Sequence, residues 1–210
     1  MTVWAVVVAA GTGTRFGGPK QYEELDGRRV LDWSLEAARA ACDGVVLVVP
    51  PGREGDDERA DTVVAGGATR SESVRAGVAA VPADAEVIVV HDAARPAAST
   101  ALFDAVVAAV RAGADAAVPG LPVVDTVKRV DDGVVVETLD RSTLVAVQTP
   151  QAFRAAVLRA ARGEATDDAA LVEAAGGRVV VVPGEVSNLK ITSPDDLARV
   201  RHPRGRTGAP

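Results

Sequence analysis

The stretch with most chemical potential is AAGTGTRFGGPKQY, residues 9–22. It follows VWAVVVA, residues 3–9, an apolar, β-branched run of the kind that forms a strand buried on both faces. In an open parallel sheet, ligands sit beyond the carboxyl ends of the strands. Glycines at such a junction let backbone N–H groups approach phosphate oxygens closely. The spacing Gly11-x-Gly13-x-Arg15, then Pro19-Lys20, sets a guanidinium and an ammonium at the ends of a phosphate-sized loop. The guanidinium is a forked, permanently charged clamp, the ammonium a compact point charge. Two better-known loops fail the spacing test. The dinucleotide fingerprint requires a glycine where Phe16 stands, and the P-loop requires Gly-Lys-Ser/Thr where the chain reads Pro19-Lys20-Gln21. A glycine-rich turn bearing two solvated cations is the plainer alternative.

The lysines single out further positions. Lys20, Lys128 and Lys190 stand against 20 arginines. Either base composition left three remnants, or Lys persists where Arg would not serve. Asp92 lies just past the apolar run EVIVV, residues 86–90. A carboxylate there can face Mg²⁺ directly or through water, or close an Asx turn. The adjacent His91 lacks a partner pattern for nucleophilic catalysis and reads as a satisfied loop histidine. One cysteine, Cys42, and two histidines exclude an internal disulfide and a Cys- or His-rich metal cage. The net charge of −6 and an aromatic content of 3% disfavour nucleic-acid binding. No apolar run approaches the ~20 residues of a membrane span. The apolar residues 1–10 lack a basic leader, so the expectation is a soluble, cytoplasmic protein.

The elements that must position these groups alternate. Helical spacing marks residues 30–41, 71–81 with Ser71 as N-cap, 100–113, 151–163 and 167–177. Strand-like runs cover 45–49, 86–90 and 178–184, a polar loop spans 52–61, and a loop covers 91–96. Residues 187–201 read as a short strand and a last helix starting near Ser193-Pro194. Strands separated by helices predict an α/β, Rossmann-like, mainly parallel sheet with helices on both faces. Residues 122–140 break the rhythm: two alternating patterns meet at the Asp-Gly signal of residues 131–133. A lone ribbon is marginal in water, so this protruding β-hairpin arm is expected to pack on something else, a second subunit included. Residues 1–201 thus form one domain, and residues 202–210 have the composition of a disordered tail.

In order along the chain, residues 9–22, GGATRSESV (66–74), HDAARP (91–96), DTVKR (125–129), DRSTL (140–144), QTPQAF (148–153), TDDA (166–169) and NLKIT (188–192) form a connected signature. It resembles that of the nucleotide-sugar pyrophosphorylase-like nucleotidyltransferases, and within them the 2-C-methyl-D-erythritol 4-phosphate cytidylyltransferase family. The resemblance implies a homodimeric transferase that joins CTP to a small sugar-alcohol phosphate with a divalent cation, Mg²⁺. By it, Arg15 and Lys20 stabilise the transition state, while Arg141 and Lys190 hold the acceptor phosphate. The Arg141 equivalent sits on the arm side of a neighbouring subunit. Ala9, Ala10, Gly11, Gly13, Gly67, Ser73 and Asp92 would bind the nucleotide, Asp92 also facing the metal. Arg95, Asp125, Thr126, Thr149 and Thr166 would line the acceptor pocket. The sequence departs from the family in carrying Ala68 where Asp is frequent, and in a short connection from Arg15 to Lys20. A ribitol-5-phosphate acceptor and a non-catalytic nucleotide-binding module are the rival readings.

Overall fold

Strands come first where valines crowd. A computed structural model describes residues 1–55, 59–165 and 167–200 of the chain. The opening run forms β1 (Val3–Val8), and the fully buried GVVLVV forms β4 (Gly44–Val49). Between them, a two-residue ladder of β2 (Glu24–Leu25) and β3 (Arg28–Arg29) leads into α1 (Val30–Ala41). Next come β5 (Thr62–Ala65), α2 (Arg70–Ala80), β6 (Val87–Asp92), α3 (Thr100–Arg111) and β7 (Ala116–Pro122). The second half holds β8 (Lys128–Asp131), β9 (Val134–Thr138), β10 (Val145–Val147), β11 (Gln151–Arg154), α4 (Ala155–Ala160), α5 (Asp168–Ala174), β12 (Val179–Pro183) and α6 (Pro194–Arg199).

The central sheet runs β10-β7-β11-β6-β1-β4-β5, with β12 also pairing β7. Pairings of β1 with β4 and β6, of β4 with β5, and of β7 with β12 are parallel. Only β10 and β11 run against their neighbours among the described strands of this sheet. Alternation along β1 divides the core. Val3, Ala5 and Val7 face Leu31 and Leu35 of α1 and Phe103 and Val106 of α3. Val6 faces the opposite layer, with Val74 and Val78 of α2, Leu158 of α4 and Val172 of α5. Helices therefore cover both faces, as the alternating pattern predicts. Among the described residues, no helix is long and apolar enough to cross a membrane.

The arm forms as its Asp-Gly pair predicts. Asp131 pairs with Val134 across Asp132 and Gly133, whose φ values are 41° and 77°. All residues of β8 and β9 are exposed, Val130, Val134, Val135 and Val136 among them.

Four local expectations need correction. Residues 151–163 do not form one helix: Gln151–Arg154 is strand, wedged between β6 and β7 with Ala152 and Phe153 fully buried, and only Ala155–Ala160 is helical. Sheet pairing there overrides helical spacing. The cap of α2 is Thr69, not Ser71. Thr69 Oγ1 accepts from the Glu72 N–H and the Glu72 carboxylate accepts from the Thr69 N–H, both at 3.1 Å, a reciprocal capping box. His91 and Asp92 belong to β6 instead of the following loop. Residues 187–192 contain no strand; Ile191 makes a backbone bond to Ala94. The proposed tail, residues 202–210, lies outside the described residues.

Candidate active site

The loop leaving β1 is shaped by Gly13. Its φ of +67° and a Cβ position 1.8 Å from the Gly18 carbonyl oxygen leave no room for a side chain. The Gly13 carbonyl accepts from the N–H groups of Phe16 and Gly17 at 2.9 and 3.0 Å, which folds Arg15 and Lys20 back towards one another. Beneath lies buried Gln21, whose Nε2 donates to the carbonyls of Ala9 at 2.6 Å and Gly11 at 3.0 Å. That amide ties the short 3₁₀ turn Lys20–Tyr22 to the loop, and so fixes where the Lys20 ammonium stands.

A second wall comes from the turn between β5 and α2. A Cβ on Gly66 would fall 2.4 Å from the Ala10 Cβ and 2.7 Å from Ser73 Oγ, so glycine lets the two loops touch. Ser73 Oγ accepts from the Gly67 N–H at 3.2 Å and donates to the Thr69 carbonyl at 2.9 Å. The third wall is the end of β6 with Lys190, which arrives from the loop after β12. Together these walls enclose a cavity of about 720 Å³. Ala9, Ala10, Gly11 and Gly13 line it, as do Arg15 and Lys20; opposite stand Gly67, Ser73, Asp92 and Lys190.

Charge in the cavity is arranged around Asp92. Lys190 Nζ donates to its Oδ2 at 2.6 Å, Arg70 lies 3.6 Å from Oδ1, and Arg95 lies 4.0 Å from Oδ2. Burial alone would raise the Asp92 carboxyl, but Lys190 and then Arg70 outweigh it and hold it down at about 2. Lys20 is pulled below its ordinary value, first by burial, then by Lys190 and Arg15. Among the described residues neither Arg15 nor Lys20 is held in an ion pair. The cavity thus keeps unneutralised positive charge beside one carboxylate, a surplus suited to a polyanion.

Other expected residues sit differently. Arg95 does not line the cavity; its guanidinium donates to the Asn188 carbonyl at 2.7 Å. Thr149 is buried behind Asp92, its Oγ1 accepting from the Asp92 N–H at 3.0 Å. Arg141, Asp125 and Thr126 are exposed on and beside the arm, and this chain alone does not bring them to the cavity. The reason is mechanical: the arm leaves the sheet at Pro122 and returns at Val145 without folding over the loops. Arg141 instead donates to the Val124 carbonyl. Lys128 is also on the arm, bonded to Thr138 Oγ1 at 2.6 Å. Thr166 lies outside the described residues. Sequence reasoning did not single out Gln21, Arg70 or Asp168, although each lies inside a motif it quoted. Arg70 pairs with buried Asp168 at 2.7 Å.

His91 is satisfied, as its sequence context predicts: Nδ1 lies 3.2 Å from Thr149 Oγ1 and Nε2 lies 3.3 Å from the Arg95 carbonyl. Burial pushes the imidazole down to about 4 from 6.5, with Asp92 opposing and Arg95 and Lys190 adding to the fall. A histidine buried neutral contributes stability that is complete above the unfolded value and is lost as pH falls towards the folded one. Unfolding by denaturant at pH 5 should therefore show about 2 kcal/mol less stability from this group than at pH 7.5. His91→Asn should flatten that difference. An equal pH slope in both proteins would refute the assignment.

Similarity to known proteins extends over nearly the whole chain. The family model described as IspD, 2-C-methyl-D-erythritol 4-phosphate cytidylyltransferase, matches residues 3–202. The bifunctional enzyme IspD/IspF of Anaeromyxobacter dehalogenans is 50% identical in an alignment 220 positions long that covers 95% of this chain and 56% of that protein. The chain therefore spans about half the length of the bifunctional relatives it matches. The 2-C-methyl-D-erythritol 4-phosphate cytidylyltransferase of Rubrobacter xylanophilus is 42% identical over 92% of this chain and 90% of its own length. The crystal structure of the Thermus thermophilus protein of the same name superposes with a TM-score of 0.80 at 37% identity, over 93% of this chain and 95% of that one. On the match over nearly its whole length, the chain belongs to the 2-C-methyl-D-erythritol 4-phosphate cytidylyltransferase family.

Proposed function

We propose that this chain is a cytidylyltransferase that joins CTP to 2-C-methyl-D-erythritol 4-phosphate, in the non-mevalonate route to isoprenoids. The products are 4-diphosphocytidyl-2-C-methyl-D-erythritol and pyrophosphate. The observation that carries the reading is the meeting of Arg15 and Lys20 of the glycine loop with Lys190, remote in sequence from both, around one cavity. An oxygen of the acceptor phosphate attacks the α-phosphorus of CTP, the bond to the bridging oxygen of the β-phosphate breaks, and pyrophosphate leaves with that electron pair. Such a transfer needs in-line positioning and neutralisation of charge. CTP carries roughly −4 and the acceptor phosphate close to −2. Arg15 and Lys20 would neutralise charge on the reacting phosphorus and the departing pyrophosphate. Lys190 would leave Asp92 and hold the acceptor phosphate, with Arg141 reaching in from a second copy.

Mg²⁺ fits this cavity in one specific way. Among the described residues no group of three or more His, Cys, Asp or Glu side chains could cage a metal, and Asp92 is the one carboxylate of the lining. A cation held largely by the nucleotide's phosphates and by water, with Asp92 as the protein's share, suits that donor set. When bound, it supplies charge neutralisation on the triphosphate. Arg95 and Thr149, next to Asp92, are read as acceptor-side supports, and Asp125, Thr126 and Thr166 as acceptor contacts. The homodimer and a cytoplasmic location complete the reading.

Pyrophosphate release from CTP, measured with methylerythritol phosphate and with ribitol 5-phosphate, tests it. Turnover with the first is expected. Turnover with the second alone would move the assignment to the other acceptor, and turnover with neither would overturn it.

A further inference from the structure

The mechanism leaves one ion pair in the cavity wall without a task, half-buried Arg70 with buried Asp168. Arg70 opens α2 and lines the cavity. One arm of its guanidinium sits 2.7 Å from Asp168 Oδ2, while the other faces Asp92 Oδ1 at 3.6 Å. Asp168 is 2% exposed and does not line the cavity, so it cannot meet a nucleotide. Asp92 is consequently gripped from two sides: Lys190 takes Oδ2 and Arg70 faces Oδ1. With a cation on each oxygen, the carboxylate plane has one preferred setting.

We propose that Arg70, anchored by Asp168, is a positioning residue that sets the orientation of the Asp92 carboxylate within the nucleotide cavity. The inference rests on the cytidylyltransferase reading for what the cavity does. The surroundings support it. Desolvation of the buried Asp168 carboxylate offsets much of its attraction to Arg70, so stability alone does not account for the pair. Burial raises the Asp168 carboxyl, with Arg70 opposing, and the guanidinium is favoured by Asp92 and Asp168 against its own burial. The segment carrying Asp168 is held against the start of α2 at several points. Ser71 Oγ donates to the Ala165 carbonyl at 3.1 Å, Thr69 Oγ1 donates to Glu164 at 3.1 Å, and Arg75 donates to Glu164 at 2.7 Å. Asp168 is thereby a fixed post. Lysine could not replace Arg70, since a point charge on a flexible stem cannot face both carboxylates in one plane.

The test is steady-state kinetics on the full chain carrying Arg70→Lys, Asp168→Asn, both, or Asp168→Glu. Circular dichroism and calorimetric CTP-binding stoichiometry give the folded, competent fraction. Displacement of a catalytic group by about 1 Å costs on the order of 100-fold. The expected result is a fall in kcat of about 10- to 100-fold per competent site for each of the first two variants. KM for CTP should stay within about threefold, and the double variant should be no worse than the poorer single one. Asp168→Glu should recover part of the loss. Two results would overturn the proposal: kcat per competent site of Asp168→Asn within twofold of wild type, or losses that multiply in the double variant. Wild-type inactivity towards both acceptors would sink the underlying reading and this inference with it. An active wild type with unaffected variants would sink the ion pair's role alone.

Discussion

Lys20→Ala is expected to lower kcat by about 100-fold or more, with no loss of thermal stability. The two halves of that result have one cause. The Lys20 ammonium is partly buried and near Lys190 and Arg15, and these three influences pull its pKa down against the attraction of Asp92 and Asp196. A cation so placed opposes folding slightly, because its charged form is better solvated in the unfolded chain. Removing it should leave the melting temperature unchanged or higher. Binding a triphosphate inverts the balance, since the same three charges then surround an anion. Donors fixed in advance around developing charge are typically worth ~3–4 kcal/mol each in the transition state. Arg15→Ala should produce a fall of similar size. Arg15 is exposed where Lys20 is half-buried, so its loss would be the less damaging of the two. Initial-rate measurements on purified, folded variants decide the matter. A decline under tenfold in Lys20→Ala would remove it from the chemistry.

How far the sequence disclosed this arrangement depends on how local each signal was. Val3–Val8 and Gly44–Val49 are strands because continuous β-branched residues suit burial on both faces, a property of the segment itself. The arm is equally local, declared by Asp132-Gly133 between alternating residues. Gln151–Arg154 is different. Its spacing continues into a real helix, and its strand character comes only from lying between β6 and β7. Ser71 looked like a helix cap because serine often is one, but its hydroxyl is engaged by Ala165, which folding alone brings near. Pairing partners far off in the chain leave no mark within an 11-residue window.

The site divides along the same line. Gly13, Arg15 and Lys20 were legible as a loop because their spacing is compact and the glycines restrict what else the loop can be. Asp92 was legible as a carboxylate at a strand end. Lys190, whose ion pair joins residues 98 positions apart, was named by family resemblance and by the scarcity of lysine. Arg70 and Asp168 had neither advantage. Arginine is abundant in this chain, and an acidic residue at a helix start reads as a favourable helix end. Their meaning lies in the contact between them. Gln21 escaped notice for a related reason: a glutamine whose donors hold two carbonyls of a preceding loop has no residue-type signature.

Arg141→Ala should also lose about 100-fold in kcat, yet regain activity when paired with a protein that is itself dead. Arg141 is exposed beside an arm whose Val130, Val134, Val135 and Val136 are each more than half exposed. Contiguous apolar side chains on a two-stranded ribbon need a partner surface to be stable in water. If a second copy provides it, Arg141 acts in the cavity of that copy. Coexpression of Lys20→Ala with Arg141→Ala then yields hybrid dimers holding one site with both residues intact and one with neither. Half of randomly assembled dimers are hybrids, so activity should recover to about one quarter of wild type. Each variant alone stays near its own floor, which makes the recovery roughly 25-fold over background. A hairpin that completed the site of its own chain would give no recovery, because every chain in the mixture carries one lesion. Sedimentation on the same samples supplies the second check: a fully active monomer would exclude the shared site whatever the kinetics of the mixture.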